Sequence, residues 1–267
     1  MVDLDGLRSG ARLRDKRAII TGASSGIGRA IALLFGAEGA SIAACGRDPD
    51  RTNATCDEIT EAGGRADAIV FDISQAEEIE AAVIRAVKQL GGLQIVVNCA
   101  GISEVDGFAD VHEQSLEAWN LTLAVNVTAA FVMSKAAIPY LLKSGGGSLV
   151  HISSIASQTV LEGNAPYGVS KAALNQLSRH IAVEYAGRGI RSNAILPGEI
   201  DTPASTRAIA LAEATGEYTR EQLLRRYPAG RFGQPEEIAH AALFLCSAES
   251  GFLTGQAIAV DGAYTCV

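Results

Sequence analysis

Residues 17–28 read RAIITGASSGIG: a short apolar run, then glycines, then a pattern typical of a helix as far as Glu38. In this order, a strand, a glycine turn and a helix can bind phosphate, because backbone N–H groups at the helix start face the anion and glycines let it approach. A glycine pattern alone is weak, since ordinary turns are rich in glycine. Here the flanking strand and helix favour pyrophosphate binding by the turn residues Gly22, Ser24, Ser25, Gly26, Ile27 and Gly28.

Strand and helix patterns alternate along the rest of the chain. Apolar runs predict strands over residues 17–21, 39–46, 65–71, 93–98, 148–154, 190–196 and 256–260. Helical patterns lie between them, which predicts one doubly wound α/β domain with a mainly parallel sheet of about seven strands and helices on both faces. Ligands of such sheets lie beyond the carboxyl ends of the strands. Asp72, Asn98 to Gly101 and Ser154 all fall there, together with the glycine turn.

A second chemical motif follows the strand that ends at Ser154. Tyr167 and Lys171 stand four residues apart after Pro166, which is favoured at the first position of a helix, so a helix here places both side chains on one face. A neighbouring ammonium lowers the pKa of a phenol, which suits Tyr167 to exchange a proton with an alcohol oxygen. The Ser154 hydroxyl can bond the same oxygen. Such a pair also occurs by chance on solvated helix surfaces, and only the rest of the chain favours the catalytic interpretation.

The composition restricts the partners of the protein. The chain has 267 residues and a net charge of −8, which argues against nucleic acid and anionic membranes as partners. Its five cysteines are scattered without metal-ligand spacing, as expected for reduced thiols in the cytoplasm, and we predict no metal site. The first residues are charged and show no apolar leader, and no apolar run approaches the roughly 20 residues that span a bilayer. We therefore expect a cytoplasmic protein that binds no membrane.

Domain organisation follows from the same patterns. We predict an N-terminal extension over residues 1–15 and one catalytic domain over residues 16–267. Within it, residues 199–230 have weak periodicity and follow the carboxyl end of a strand directly, which is typical of a substrate lid. A long helix over residues 114–143 carries Asn126 in an apolar stretch. Such an amide is commonly a satisfied core residue, but here we expect it to pack near the Tyr167 helix.

Six motifs in this order carry a family resemblance. They are Thr21-Gly-x-x-x-Gly-x-Gly28, Asn98-x-Ala-Gly101, Asn126, Ser154, Tyr167-x-x-x-Lys171 and Pro197-Gly198-x-Ile200-x-Thr202. Together they resemble the short-chain dehydrogenase/reductase superfamily, and more narrowly its compact branch of about 250 residues. The resemblance extends from residue 16 to the end. It implies a Rossmann-type fold, an NAD(P)-dependent oxidoreductase and, as in similar proteins, a homotetramer.

The resemblance also implies roles for individual residues. Tyr167 is expected to be the acid/base on the substrate oxygen, and Ser154 to orient that oxygen. Lys171 is expected to lower the pKa of Tyr167 and to hold the nicotinamide ribose, while Asn126 maintains a water-linked proton relay to Lys171. The other implied cofactor-binding residues are Asp72 and Ile73 at the adenine, Asn98, Ala100 and Gly101 on and after the central strand, and Pro197, Gly198, Ile200 and Thr202 towards the carboxamide.

The choice between the two nicotinamide cofactors depends on the segment after the second strand. A fold of this type reads the adenosine ribose about 20 residues after the last glycine of the turn, where Arg47 and Asp48 stand side by side. Similar proteins that select NAD carry an acid at the position of Gly46. Asp48 precedes Pro49, as expected of a helix cap. We therefore predict that Arg47 binds a 2′-phosphate and that NADP(H) is favoured, although Ser25 stands where phosphate-preferring relatives often carry a cation.

The sequence thus predicts hydride transfer between NADP(H) and a carbonyl or secondary alcohol. One alternative is an NAD(H)-dependent alcohol or polyol dehydrogenase, and another is a cofactor-binding regulator without turnover. All four catalytic positions are filled by residue types that the chemistry needs, which favours an enzyme. The small-molecule substrate stays open between a 3-oxoacyl thioester, a sugar or polyol, a steroid and a small ketone.

Overall fold

A computed structural model of the chain describes residues 11–103 and 107–267. They form a sheet of seven strands in the order β3-β2-β1-β4-β5-β6-β7, and all neighbouring strands are parallel. In chain order the strands are β1 (Arg17–Thr21), β2 (Ser41–Gly46), β3 (Arg65–Val70), β4 (Ile95–Asn98), β5 (Gly147–Ile152), β6 (Ile190–Pro197) and β7 (Ala257–Val260). The predicted doubly wound fold is confirmed, and the sheet is wholly rather than mainly parallel.

Helices connect the strands and cover both faces of the sheet. In chain order they are α1 (Gly26–Ala37), α2 (Pro49–Glu61), α3 (Ala76–Leu90), α4 (Leu116–Leu123), α5 (Ala129–Lys143), α6 (Ala165–Tyr185), α7 (Pro203–Thr215), α8 (Arg220–Leu224) and α9 (Pro235–Cys246). A π-helical turn, Ala124–Thr128, joins α4 to α5 without a break. A 3₁₀ turn, Ile155–Ser157, follows β5.

The sheet separates two apolar cores because successive side chains of a strand point to opposite faces. In β1, Ala18 and Ile20 join the core that includes residues of α1 and α9, whereas Ile19 joins the core that includes residues of α3 and α5. All three residues are fully buried. Burial on both faces explains why the strands read as continuous apolar runs rather than as alternating patterns.

The strand order places a crevice at one edge of the sheet. From β1 the chain continues to β2 and β3 on one side, and β4 then pairs with the other side of β1. The connections on the two sides of this switch point diverge, which opens a space beyond the carboxyl ends of β1 and β4. The glycine turn follows β1 directly, so it lies at this opening.

The N-terminal boundary differs from the predicted one. Residues 1–10 lie outside the described part of the chain, but residues 11–15 pack against the domain. Leu13 is fully buried in the apolar core, and Arg12 forms an ion pair of 2.8 Å with Glu38 at the end of α1. The packed structure therefore begins before residue 16, because Leu13, in the predicted extension, is part of the apolar core.

The predicted lid segment, residues 199–230, contains two helices that its weak periodicity did not indicate. Thr202 caps α7 by accepting a hydrogen bond from the Ser205 N–H (3.1 Å), and Pro203 occupies the first turn. Gly216 ends α7 in the left-handed conformation, with φ of 79°. Start and stop signals were thus present in the sequence. The apolar pattern between them is faint because α7 buries only a narrow face, through Ile209 and Ala212.

The continuous helix from Leu116 to Lys143 corrects the expectation that no apolar segment approaches the length needed to span a bilayer. Its 28 residues are long and apolar enough to cross a membrane by length and composition alone, with a mean hydropathy of 1.6 over the relevant window. In this fold 44% of that window is buried inside the domain, and Met133 and Leu141 contribute to the core. A buried core helix passes the same test, so one such helix is weak support for a membrane span.

Candidate active site

The glycine turn presents bare backbone to the crevice. A Cβ atom at Gly28 would overlap the carbonyl oxygen of Gly22, so the turn can close only without a side chain there. Ser25 precedes the first residue of α1 in an extended conformation, and its side chain makes no capping hydrogen bond. The N–H groups at the start of α1 therefore face the crevice without a side-chain cap, which is the donor set that a pyrophosphate requires.

Thr21 fixes the opposite wall of the crevice. Its hydroxyl oxygen accepts hydrogen bonds from the N–H groups of Cys99 (2.9 Å) and Ala100 (3.0 Å), directly after β4. Thr21 is itself 1% exposed. This threonine at the end of β1 therefore positions the backbone of Ala100 and Gly101, a role that the sequence analysis did not assign, although Thr21 begins the glycine motif.

Tyr167 and Lys171 lie on one face of α6, as their spacing predicts. The Lys171 Nζ atom is 5.5 Å from the centre of the Tyr167 ring and donates to the Ile152 carbonyl at 3.0 Å. Lys171 is 4% exposed, and desolvation by burial lowers its pKa to about 8. At neutral pH the lysine still carries its charge in most molecules, so it presents a buried ammonium close to the phenol.

Ser154 borders the same cavity from the end of β5. It caps the 3₁₀ turn, and its Oγ atom accepts from the Ala156 N–H at 3.1 Å. The hydroxyl group of Ser157 donates to the Ser154 carbonyl at 2.6 Å. The Ser154 O–H thus keeps its own proton available for a hydrogen bond into the cavity while the backbone around it is held.

Asn126 lies behind the cavity wall, in the π-helical turn. Its Oδ1 atom accepts from the Ile102 N–H, and its Nδ2 atom donates to the Ile102 carbonyl and to Ser170 Oγ, each at 2.9 Å. The side chain is 1% exposed. Asn126 therefore joins the loop after β4 to α6, one residue before Lys171, and does not line the cavity itself.

Asn98 is the other predicted residue that the structure does not bring to the cavity. It is 4% exposed at the end of β4, where its Nδ2 atom contacts Ser134 Oγ (3.3 Å) and His151 Nδ1 (3.2 Å). Burial lowers the pKa of His151 to about 4, so this imidazole is neutral at physiological pH. The contacts place Asn98 in a buried polar cluster beneath the cavity, consistent with its expected role in holding the central strand.

The other predicted site residues meet around one cavity of about 610 Å³. Those that line it are Gly22, Ser24, Ser25, Gly26, Ile27, Gly28, Arg47, Asp72, Ile73, Ala100, Gly101, Ser154, Tyr167, Lys171, Pro197, Gly198, Ile200 and Thr202. Arg51, Tyr227 and Tyr264 also line it, and the sequence analysis did not name them. The cavity thus joins the glycine turn to the pair Tyr167 and Lys171. In the described part of the chain, no group of three or more His, Cys, Asp or Glu side chains could hold a metal ion.

Comparison with known proteins agrees with this arrangement. The family model described as enoyl-(acyl carrier protein) reductase matches residues 22–265. The solved structure of a short-chain type dehydrogenase/reductase from Mycobacterium marinum is 34% identical, with a TM-score of 0.86 over 96% of this chain and 97% of that one. The chain belongs to the short-chain dehydrogenase/reductase superfamily. It is therefore an oxidoreductase that acts on alcohols and ketones with a nicotinamide cofactor.

Two further relatives illustrate the range of substrates in this superfamily. The 2,5-dichloro-2,5-cyclohexadiene-1,4-diol dehydrogenase of Sphingobium indicum is 39% identical over 95% of this chain and 98% of its own length. A gluconate 5-dehydrogenase from Burkholderia cenocepacia, solved in complex with NADP and tartrate, is 31% identical with a TM-score of 0.88, over 96% of this chain and 97% of that one. Relatives of similar identity therefore act on chemically different alcohols, so the substrate must be argued from the site.

The adenosine end of the cavity is rich in charge. Asp48 caps α2 by accepting from the Arg51 N–H at 3.0 Å, and its other oxygen pairs with Arg51 Nε at 2.8 Å. These hydrogen bonds lower the pKa of Asp48, the backbone one most. The pKa of Asp72 is also lowered, mainly by the Ser74 N–H and further by the charge of Arg47. The enzyme therefore presents Arg47 near two carboxylates, both of which already accept hydrogen bonds.

Proposed function

We propose that the enzyme transfers hydride between NADP(H) and a carbonyl or secondary alcohol, with Tyr167 as the general acid/base. The observation that carries the proposal is the buried Nζ atom of Lys171, 5.5 Å from the Tyr167 ring, on the cavity that Ser154 also lines. An ammonium at this distance stabilises a phenolate more than a phenol, because little water screens the attraction. Proton exchange at neutral pH becomes accessible to a side chain that otherwise titrates near ~10.

The proposed proton chemistry uses the residues as follows. In the direction of reduction, the Ser154 hydroxyl donates a hydrogen bond to the carbonyl oxygen, and the Tyr167 hydroxyl gives it a proton. The phenolate that remains is stabilised by Lys171 until it recovers a proton. When bound, a nicotinamide cofactor supplies the hydride to the carbonyl carbon, or accepts it in the direction of oxidation. Each such acid/base contribution is typically worth ~10²–10⁴-fold in rate.

Asn126 has a positioning role in this proposal. Its amide binds both backbone groups of Ile102 and the side chain of Ser170, which precedes Lys171 in α6. The π-helical turn brings Asn126 to these contacts. We infer that Asn126 sets the distance between the loop after β4 and the face of α6 that carries Tyr167 and Lys171, and thereby supports the relay that the family resemblance implies.

The preference for NADP(H) is supported by the space around Gly46. A Cβ atom at Gly46 would overlap Thr52 Oγ1 and lie 3.2 Å from the Cβ of Ser24, so an acid that selects NAD does not fit this position without rearrangement. Asp48 is engaged by Arg51, which leaves Arg47 to face the ribose. A guanidinium can bind a 2′-phosphate through two parallel hydrogen bonds.

Three broader predictions belong to the same proposal. A substrate lid over residues 199–230 is supported by the ring contact between Tyr218, which follows α7, and Phe108 in the loop after β4, with ring centres 6.2 Å apart. A homotetramer is supported by large apolar side chains that are exposed on the long helices, such as Phe131 and Val183. Light scattering tests the assembly. A cytoplasmic location is supported by five unpaired cysteines.

The substitution Tyr167→Phe tests the central proposal. It removes the titrating hydroxyl and keeps the ring, so turnover should fall by ~10²–10⁴-fold while the dissociation constant of NADPH stays nearly constant. Turnover is measured from NADPH absorbance with a panel of ketones, and binding from fluorescence titration. A variant that retains most of the wild-type activity would remove Tyr167 from the mechanism.

A further inference from the structure

The two halves of the cavity differ in chemistry. Charged side chains line the half that follows β2 and β3, namely Arg47, Asp48, Arg51 and Asp72. The half that follows β4 to β7 holds Ser154 and Tyr167, and many of its other lining side chains are aliphatic or aromatic. Among these are Leu121, Val160, Leu161, Tyr218, Leu223 and Tyr264. Ser154 and Tyr167 therefore share this half of the cavity with a group of apolar side chains, which form an apolar wall.

Part of this wall is apolar surface that water still reaches. Val160 is 80% exposed and Leu121 is 42% exposed, although both line the cavity. Exposure of apolar surface to water is unfavourable. An apolar ligand that covers this surface gains a free energy of about 25 cal/mol for each Å². An apolar substrate would gain this energy, whereas a hydrated polyol would have to give up water to cover the same side chains.

Among the described residues, few charged side chains line this half. Among the described residues that line it, the charged ones besides Lys171 are Glu199 and Arg207, and Arg207 is exposed on α7. Two of the hydroxyl groups nearby are engaged: Thr159 donates to the Ile155 carbonyl at 3.0 Å, and Tyr227 accepts from the Glu199 N–H at 2.7 Å.

Ser205 Oγ is the buried side-chain atom on this cavity that lacks a partner among the described residues. Because this oxygen is itself buried, it does not offer an open polar contact to a ligand. Each further hydroxyl that loses water without a partner costs a ligand about 1–3 kcal/mol. A sugar or polyol would lose several of its water contacts here, whereas a molecule with a single oxygen would keep its hydrogen bonds through Ser154 and Tyr167.

We propose that the substrate is an uncharged, predominantly apolar ketone or secondary alcohol, rather than a sugar, a polyol or a hydroxy acid. This inference rests on the proposed function, because it assumes that the reacting oxygen lies at Ser154 and Tyr167. The hydride and the proton add across one C=O bond to give one alcohol, with the nicotinamide cofactor as the redox partner. The apolar wall then favours substrates whose remaining atoms, apart from the reacting C–O group, are apolar.

Steady-state kinetics with two substrate panels test the inference. One panel contains apolar ketones and alcohols, such as cyclohexanone and cyclohexanol, and the other contains glucose, gluconate and their keto forms, each with NADP(H) and NAD(H). We expect higher kcat/KM for the apolar panel with either cofactor. Higher kcat/KM for the sugar panel would overturn the inference and leave the proposed function intact. Absence of turnover in both panels would count against the proposed function, and against the inference with it.

Two pairs of variants link this selectivity to the wall. Val160→Ala and Leu121→Ala remove cavity-lining carbons, so KM for cyclohexanone should rise by about 4-fold for each carbon that contacts the substrate, with kcat nearly unchanged. Val111→Ala and Leu211→Ala are matched controls, since these residues are 77% and 37% exposed and neither lines the cavity. Equal effects in test and control variants would contradict the assignment.

One further variant separates the apolar wall from the cation at its rim. Arg207→Gln removes the exposed guanidinium that borders this half of the cavity, and kcat/KM for cyclohexanone should still exceed that for gluconate in the variant. If the enzyme turns over gluconate better than the apolar panel, and Arg207→Gln abolishes that preference, then the rim cation selects the substrate and the inference fails. Thermal melting of each variant shows that the fold is retained.

Discussion

Lys171 Nζ lies 5.5 Å from the centre of the Tyr167 ring, four residues earlier on the same helix. The lysine is fixed there by its bond to the Ile152 carbonyl at the end of β5. Helix spacing therefore brings the two side chains to one face, and the strand beside the helix holds the ammonium under the ring. Burial of the charge has a free-energy cost, which makes the relationship testable without a substrate.

Lys171→Met should change how stability depends on pH. The pKa of Lys171 falls from its usual 10.5 to about 8 in the folded chain, so between these values the unfolded chain binds more protons. The free energy of unfolding of the wild type should therefore rise with pH relative to the variant, by at most about 3 kcal/mol. Below pH 8 both the folded and the unfolded chain hold the lysine proton, so the full cost of the buried charge is present. The difference in free energy of unfolding between wild type and variant should be constant there.

Urea unfolding of the cofactor-free proteins at several pH values measures this difference. Lys135→Met is the control, because Lys135 is exposed on α5. If the wild type and Lys171→Met show parallel pH profiles, the lysine is not desolvated as its burial indicates.

Arg47→Ala should weaken NADPH binding selectively. A charge-assisted hydrogen bond is worth about 1.5–3 kcal/mol, which corresponds to roughly 10–150-fold in affinity. The affinity for NADH should hardly change, since its ribose lacks the phosphate. Fluorescence titration with both cofactors measures the effect, with Arg65→Ala as a control on β3. Tighter binding of NADH than of NADPH by the wild type would instead indicate that Asp48 reads the ribose.

Gly46→Ala should destabilise the fold because its Cβ atom would overlap Thr52 Oγ1. Overpacking of this kind typically costs about 1–3 kcal/mol. Thr52→Ala opens the space, although it also loses the Thr52 hydrogen bond to the Asp48 carbonyl (2.6 Å). In a double-mutant cycle of urea unfolding, the double variant should be more stable than the sum of the single effects indicates. If the effects of the two substitutions simply add, the backbone around residue 46 shifts and the new Cβ atom does not overlap Thr52.

Thr21→Val should damage both stability and cofactor binding. The valine cannot accept hydrogen bonds, so the N–H groups of Cys99 and Ala100 lose their partner, and each unsatisfied group costs about 1–3 kcal/mol. Thr21→Ser keeps the hydroxyl and should stay close to the wild type. Unfolding and NADPH titration of the two variants separate the hydrogen bond from the packing. Similar losses in both would mean that the methyl group contributes as much as the hydroxyl group.

The lid region shows where pattern reading from the sequence was insufficient. The cap at Thr202, the proline at 203 and the glycine at 216 are sufficient local signals for α7. The weak periodicity of the segment nevertheless predicted no helix there, because the segment lacks a wide apolar face. Its buried side chains, such as Ile209, pack in a small separate cluster with Leu223 and Phe232 rather than on the sheet, so the usual amphipathic pattern is weak.

The two asparagines of the predicted site show a different limit. Sequence position placed Asn98 and Asn126 correctly near the carboxyl end of β4 and near α6. It could not show that neither amide lines the cavity, because their partners, such as His151 for Asn98 and Ser170 for Asn126, are distant in sequence. The roles of these residues in positioning, as opposed to contact, therefore required the packed structure.

The sequence by itself determined the seven strands and most of the helices between them, the glycine turn and the common face of Tyr167 and Lys171, because each depends on residues a few positions apart. Only the tertiary structure decided that Leu13 belongs to the core, that Thr52 fills the space beside Gly46 and that Leu121 and Val160 line the same cavity as Ser154. These features depend on contacts between segments brought together by the sheet. Local sequence patterns do not specify which side chains that are distant in sequence will be in contact.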